Sequence, residues 1–170
     1  MTGVQTCALP ICCVEFLAET HSHSLSALKN KDEFYRQIES QTKRLEELIG
    51  YKPKTFRNTE LIYSDEIGAM VADLGYKAML TEGAKHILGW KSSNFLYANA
   101  INPKLKLLLK NFRLSDDIAF RFSNRDWSEW PLTTEKFVHW LNNIDPKEEI
   151  VNLFRSEEHT SELQSRITIS

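Results

Sequence analysis

Three short polar clusters in this chain carry side chains suited to acid–base or nucleophilic chemistry. They are Glu19 with His21 and His23, Arg57 with Asn58, Thr59 and Glu60, and Glu82. Glu60 is the sharpest candidate, because it follows an expected strand and precedes an expected helix. An arginine or amide contact from Arg57 or Asn58 would hold its carboxylate ionised, as a nucleophile requires. The plainer reading is an acid at a helix N-terminus, satisfying the helix dipole. His21 and His23 alternate, so both can face one side of an extended segment, as metal ligands do. No third ligand stands at a convincing spacing, so no metal is expected, and no other cofactor is called for. Glu15 reads either as a ligand-contacting acid or as a buried acid paired with a base. Glu82, Asp116 and Asp117 admit both a substrate role and simple capping or dipole roles.

These residues need a scaffold, and hydrophobic periodicity supplies one. Residues 14–18 form a short apolar run read as a buried strand, with the polar stretch 19–24 as its exit. Residues 30–50 read as a helix. Asn30 is its cap, Glu33 the capping-box partner and Gly50 the left-handed stop. Phe34, Ile38, Leu45, Leu48 and Ile49 share one face of it. Residues 54–58 form the next strand candidate. Ser64 is expected to cap a helix through Leu74, with Ile67, Met70, Val71 and Leu74 facing inward and Gly75 ending it. Residues 77–80, 94–98, 105–109 and 150–154 are further strand candidates. Ser115 is expected to cap a helix through Phe122, and Thr134 another with Phe137, Val138, Trp140 and Leu141 on its apolar side. Strand and helix in alternation imply an α/β fold built on a parallel sheet, open or closed into a barrel, with four to six parallel strands. The polar clusters fall just after strand ends, where such folds place their sites.

The chain has 170 residues, 42% of them hydrophobic, and a formal charge of -2. That suits one globular domain and offers no electrostatic case for nucleic acid or an anionic membrane. No apolar run approaches the roughly 20 residues a bilayer span needs. The N-terminus lacks the basic and apolar regions of a signal peptide, so a cytoplasmic location is the expectation. Residues 2–11 and 155–165 can be encoded by DNA strings that are reverse complements over nearly their full length. Unrelated peptides would almost never permit this, and both strings match a common short-read library adapter. Residues 1–13 and 155–170 are therefore expected to be adapter or junction sequence, and 14–154 native. Cys7 then falls in adapter and Cys12 at the junction, which leaves Cys13 and no disulfide framework.

The stretch Val14-Glu15-Phe16-Leu17-Ala18-Glu19-Thr20-His21-Ser22-His23-Ser24-Leu25 resembles the second conserved region of glycoside hydrolase family 57, a Gly-x-Val-Glu pattern. Restoring the first base of the Cys12 codon would supply its glycine. Residues 56–63, Phe56-Arg57-Asn58-Thr59-Glu60-Leu61-Ile62-Tyr63, resemble the third region, which carries the nucleophile. Residues 80–90 (LTEGAKHILGW), 114–124 (LSDDIAFRFSN) and 127–132 resemble further family segments.

The resemblance covers nearly all of 14–154 and implies a piece of a catalytic (β/α)7 barrel acting on α-glucan with retention, as an α-amylase or a 4-α-glucanotransferase. It implies Glu60 as nucleophile, with Glu15, His21, His23, Arg57, Glu82, Trp90, Asp117 and Trp127 near the glucan. Trp90, Trp127 and Trp130 would offer stacking surfaces, while Trp140 reads as core. The first conserved region is absent. The fourth, with the acid/base Asp, should follow Phe154, where the sequence reads Arg155. The expectation is therefore a chain with one of two catalytic carboxylates. The alternatives are a metal-dependent carbohydrate deacetylase and a non-catalytic carbohydrate-binding homologue. The oligomeric state is left open.

Overall fold

The computed structural model describes residues 14–155. The expectations for residues 1–13 and 156–170 lie outside the described residues. Two compact units emerge: residues up to Glu82 together with Tyr97–Leu108, and Gly83–Leu96 together with the residues from Leu109 on.

The first unit is built around helix α1 (Lys31–Ile49) and a sheet. Asn30 caps α1 by accepting the Glu33 N–H at 3.1 Å, and Gly50 ends it at φ 66°. Only half of the expected capping box forms. The Asn30 N–H goes to the Ser26 carbonyl, and the Glu33 carboxylate turns to Arg36 and Gln37. The inward face holds Phe34, Gln37, Ile38 and Thr42, whereas Leu48, expected inside, is exposed.

Strand β1 (Thr55–Arg57) follows, then helix α2 (Asp65–Asp73) and strand β2 (Ala78–Thr81), which pairs parallel to β1 with Phe56 opposite Met79. Ser64 caps α2 as expected, accepting the Ile67 N–H. Ile67 and Val71 are buried, but Leu74 stands outside as the helix frays. Phe56 is wholly buried, with the rings of Phe34 and Tyr76 at 5.8 and 5.6 Å. Burying each such side chain contributes about 1.5–3 kcal/mol, so this cluster anchors α1 to β1. The Tyr76 hydroxyl is satisfied by Thr42 Oγ1 at 2.9 Å.

Strands β3 (Tyr97–Ala98) and β4 (Lys106–Leu109) complete a four-stranded sheet of order β1-β2-β4-β3. The Lys106 N–H bonds the Lys77 carbonyl at the start of β2 and β4, and Gly83 lies against the Lys110 carbonyl at their ends, so these two strands run the same way. β3 corrects an expectation, because it runs antiparallel to β4. Residues 94–96 make no strand. Instead Asn94 is consumed by side-chain bonding in the second unit.

The expected strands at 14–18 and 150–154 shrink to single parallel bridges, Ala18 to Phe56 and Lys110 to Asn152. The result is α/β with a mostly parallel sheet, in which Ala18, β1, β2 and β4 follow one another in chain order as in part of a (β/α) barrel wall.

In the second unit a short helix α3 (Lys85–Leu88) is followed by helix α4 (Phe112–Asp116), a π-turn (Asp117–Arg121) and helix α5 (Thr134–Asn142). Both expected caps are corrected. Asn111, not Ser115, caps α4, and Thr133, not Thr134, caps α5. Ser115 lies inside its helix, where its Oγ accepts the Phe154 N–H. Buried Asn94 ties the unit together. Its carbonyl accepts from Glu149 and Ile150, its Oδ1 accepts from Asn111, and its Nδ2 donates to Glu148. No helix among the described residues is long and apolar enough to cross a membrane.

Candidate active site

The C-terminal ends of three neighbouring chain segments meet in the first unit. Residues 19–24 leave the Ala18 bridge, 58–61 leave β1, and Glu82 leaves β2. Glu60 sits in a single 3-10 turn, Thr59–Leu61. It is not on the first turn of α2, so the dipole role considered for it is not the one it occupies.

The turn is fastened on both sides. Thr59 Oγ1 lies 2.9 Å from Thr20 Oγ1, both side chains being buried, and the Leu61 carbonyl accepts the Glu82 N–H at 3.4 Å. Thr20 Oγ1 also accepts the Ser24 N–H at 3.0 Å, which shapes the loop bearing His23. Underneath, the Asn58 amide donates to the Ile62 carbonyl at 2.9 Å and closes the turn from inside. Asn58 Oδ1 is buried and has no hydrogen-bond partner among the described residues.

Across this lock His23 Nε2 meets Glu60 Oε1 at 3.0 Å, with both side chains more than half exposed. Three non-glycine residues here adopt left-handed backbone: His23 at φ 49°, Glu60 at 53° and Leu61 at 55°. Each costs roughly 1–2 kcal/mol for an L-residue. An exposed ion pair returns only about 0–1 kcal/mol. The pair therefore does not stabilise enough to explain the strain, and strain of this kind clusters at functional sites. The fixed backbone projects a carboxylate and an imidazole side by side into solvent, an arrangement suited to covalent or acid–base chemistry on a bound ligand.

The other expected residues fall in different places. Arg57 does not touch Glu60; its Nη1 bonds Glu19 Oε2 at 3.3 Å, because the β1 pleat turns position 57 toward the preceding segment. The neighbour that Glu60 does find is His23. His21 is exposed near this loop, with the Ser22 N–H held by Gln37 Oε1. Glu15 stands at the opposite, N-terminal end of the strand layer, where it accepts from Thr55 Oγ1 at 3.0 Å. It also pushes the Tyr51 phenol upward, an effect second to burial of that ring. Glu82 is half-buried behind the Glu60 turn.

Trp90, Asp117 and Trp127 belong to the second unit. Trp90 is 92% exposed. Trp127 is half-buried and packs at a steep angle against Trp140, with centroids 6.0 Å apart. Asp117 is buried and pairs with Arg121 at 2.5 Å, while its Oδ2 has no hydrogen-bond partner among the described residues. Asp116 closes α4 and Asp117 opens the π-turn that continues it, and Asp116 pairs with Lys110 at 3.4 Å. Trp140 is only half-buried, held by Trp127 and Phe137. Among the described residues no three His, Cys, Asp or Glu side chains converge on a point that could hold a metal ion.

Sequence reasoning gave Thr20 and Thr59 no fastening role and missed the left-handed turn. Threonines after adjacent strand ends were the available signal for the first two; nothing in Thr59-Glu60-Leu61 announces a positive φ.

The profile of glycosyl hydrolase family 57 matches residues 13–168. The chain belongs to glycosyl hydrolase family 57. A Methanocaldococcus jannaschii protein named "Putative alpha-amylase" is 48% identical over 146 residues, which cover 85% of this chain and 30% of that protein. The chain thus spans under a third of that relative's length. Among solved structures, 4-alpha-glucanotransferase from Thermococcus litoralis aligns with TM-score 0.67 at 15% identity, over 88% of this chain and 22% of that one. A structure named "putative polysaccharide deacetylase", from Mycobacterium smegmatis, aligns with TM-score 0.60 at 15% identity, over 94% of this chain and 57% of that one. At such identity these two likenesses concern the fold alone, and they agree with part of a (β/α)7 barrel of the family 57 kind.

Proposed function

We propose that this family 57 chain is a portion, residues 14–154, of a retaining α-glucan-active glycoside hydrolase, an α-amylase or a 4-α-glucanotransferase acting on α-1,4 links, with Glu60 as its nucleophile. The observation that carries the reading is the Glu60 carboxylate, 3.0 Å from His23 on a strained, doubly fastened turn at the strand ends. Family membership and the name of the 48% identical relative support the substrate class.

In this reading a Glu60 oxygen attacks the anomeric carbon as the bond to the leaving glycosyl oxygen breaks. A glycosyl ester of Glu60 forms, and water or a glucan hydroxyl then cleaves it. His23, bonded to the other carboxylate oxygen, fixes the attacking orientation. A second carboxyl roughly 5 Å away must protonate the leaving oxygen. In the family pattern that residue is the Asp expected after Phe154, and this sequence has Arg155 there. General acid catalysis supplies about 10²–10⁴-fold, so the 170-residue chain alone does not turn over glucan at a measurable rate.

A donor whose leaving group needs no proton separates the two halves of this reading. With 5-fluoro-α-glucosyl fluoride the chain is expected to release a single equivalent of fluoride per protein and stop. Glu60→Gln should abolish the burst while retaining the native circular dichroism. Equal release from both proteins would exclude Glu60 as nucleophile, and sustained hydrolysis of maltoheptaose by the chain would exclude the missing-acid half.

A further inference from the structure

The second unit holds a cleft of about 310 Å³ at the C-terminal end of α5, lined by Asn111, Arg113, Leu114, Trp140, Asn143 and Ile144. Nothing in the proposed mechanism uses these residues. The volume is at the lower limit for small-ligand sites, which are mostly apolar with a few placed polar groups.

The wall chemistry narrows the class of ligand. Trp140 is fixed by two angled rings, Trp127 at 6.0 Å and 71° and Phe137 at 6.3 Å and 61°, so its indole is a pre-set apolar surface. Leu114 and Ile144 extend that surface. Arg113 is exposed and makes no ion pair or hydrogen bond through its guanidinium among the described residues, which leaves its fork of donors unused. The Asn143 amide nitrogen is engaged with His139 Nε2 at 2.9 Å, so its carbonyl oxygen remains as an acceptor.

The cleft is a poor receptor for an anion. The α5 C-terminus carries the negative end of a helix dipole. The Asn143 N–H already serves the His139 carbonyl, and the Leu114 N–H in the first turn of α4 is taken by Asn111 Oδ1. One guanidinium against that background does not make an anion site. Apolar ring surface, paired with the fan of guanidinium N–H donors and an amide acceptor, matches the C–H faces and hydroxyls of a sugar.

We propose that this cleft is a second, non-catalytic binding site for a neutral oligosaccharide. The choice of an α-glucan rests on the function proposed above; the choice of a polyhydroxylated neutral ligand rests on the cleft itself.

The test is a maltotriose titration of the full 170-residue chain, following the Trp140 indole N–H and the Arg113 side-chain signals by heteronuclear NMR. Inorganic sulfate serves as the anion control. Saturable shifts with maltotriose and none with sulfate are expected. Arg113→Ala, an exposed change that should leave the spectrum otherwise native, should weaken the Trp140 response about three- to tenfold, the worth of one or two hydrogen bonds. Asn143→Ala should weaken it similarly. Glu60→Gln should leave it unchanged.

Shifts confined to the His23 and Glu60 neighbourhood would overturn this inference and keep the proposed function. A Trp140 response without one at Glu60 would keep the inference and count against the function. Response to sulfate alone, or to neither ligand, would overturn the inference.

Discussion

His23 Nε2 and Glu60 Oε1 are 3.0 Å apart across 37 positions of sequence, and both residues hold left-handed backbone. Two strained loops from neighbouring strand ends deliver their side chains to one point. Because the pair is exposed, it contributes little to the stability of the fold. His23→Ala should therefore leave the melting temperature within a few degrees of the parent, yet slow labelling of Glu60 by the fluoride donor about tenfold, as loss of one charge-assisted hydrogen bond to the reacting group would. A large melting shift with unchanged labelling would contradict the orienting role.

Thr20 and Thr59 form a buried hydroxyl pair at 2.9 Å. Removing one hydroxyl strands the other, although Thr20 Oγ1 keeps the Ser24 N–H. Thr59→Val and Thr20→Val should each destabilise by about 1–3 kcal/mol. The double variant should cost less than the sum of the two, since neither hydroxyl then remains to be stranded by loss of the other. Chemical denaturation of the four proteins closes the cycle, and strict additivity would mean the hydroxyls do not interact.

Gly68 sits on α2 where a Cβ would collide with the Asn99 amide and press the Tyr63 ring at 3.0 Å. Asn99 Nδ2 donates to the Tyr63 hydroxyl at 2.8 Å and to the Asp65 carbonyl at 2.9 Å, so it cannot move aside freely. Gly68→Ala raises helix propensity, which alone would stabilise by up to about 1 kcal/mol. Overpacking of about 1–3 kcal/mol should win. Denaturant midpoints measure this, and a midpoint above the parent's would contradict the packing.

Arg36 first, and Gln37 with it, hold the Glu33 carboxyl down at about 2. A carboxyl depressed on folding contributes stability above its unfolded value near 4.5 and loses it as pH falls toward 2. Melting of the parent should therefore drop more steeply between pH 5 and 2 than that of Glu33→Gln, with the two curves converging at the acid end. The first turn of α1, followed by circular dichroism, is the place to look. Parallel curves would remove Glu33 from the acid response.

Much of the first unit was legible because its signals are local. Asn30 and Gly50 bound α1 through residue chemistry that acts within four positions. Ser64 does the same for α2. The grouping of His23 and Glu60 was readable from their places after strand ends. What failed depended on distant partners. Arg57 looked adjacent to Glu60 in sequence, but strand pleat sends it to Glu19. Ser115 and Thr134 had the right chemistry for caps one turn or one residue too late, and only backbone geometry favours Asn111 and Thr133. Tyr97–Ala98 turned antiparallel because its pairing with β4 is set by a tight return through residues 99–105, not by periodicity. The strain at Glu60 was invisible, since neither Glu nor Leu favours positive φ.

The most direct measurement is the mass of the chain after reaction with 5-fluoro-α-glucosyl fluoride, followed by peptide mapping. Glu60 attack predicts one fluoroglucosyl adduct on the peptide bearing Glu60, absent from Glu60→Gln. An adduct on Glu19 or Glu82, or none under conditions that label an intact family member, would contradict the assignment.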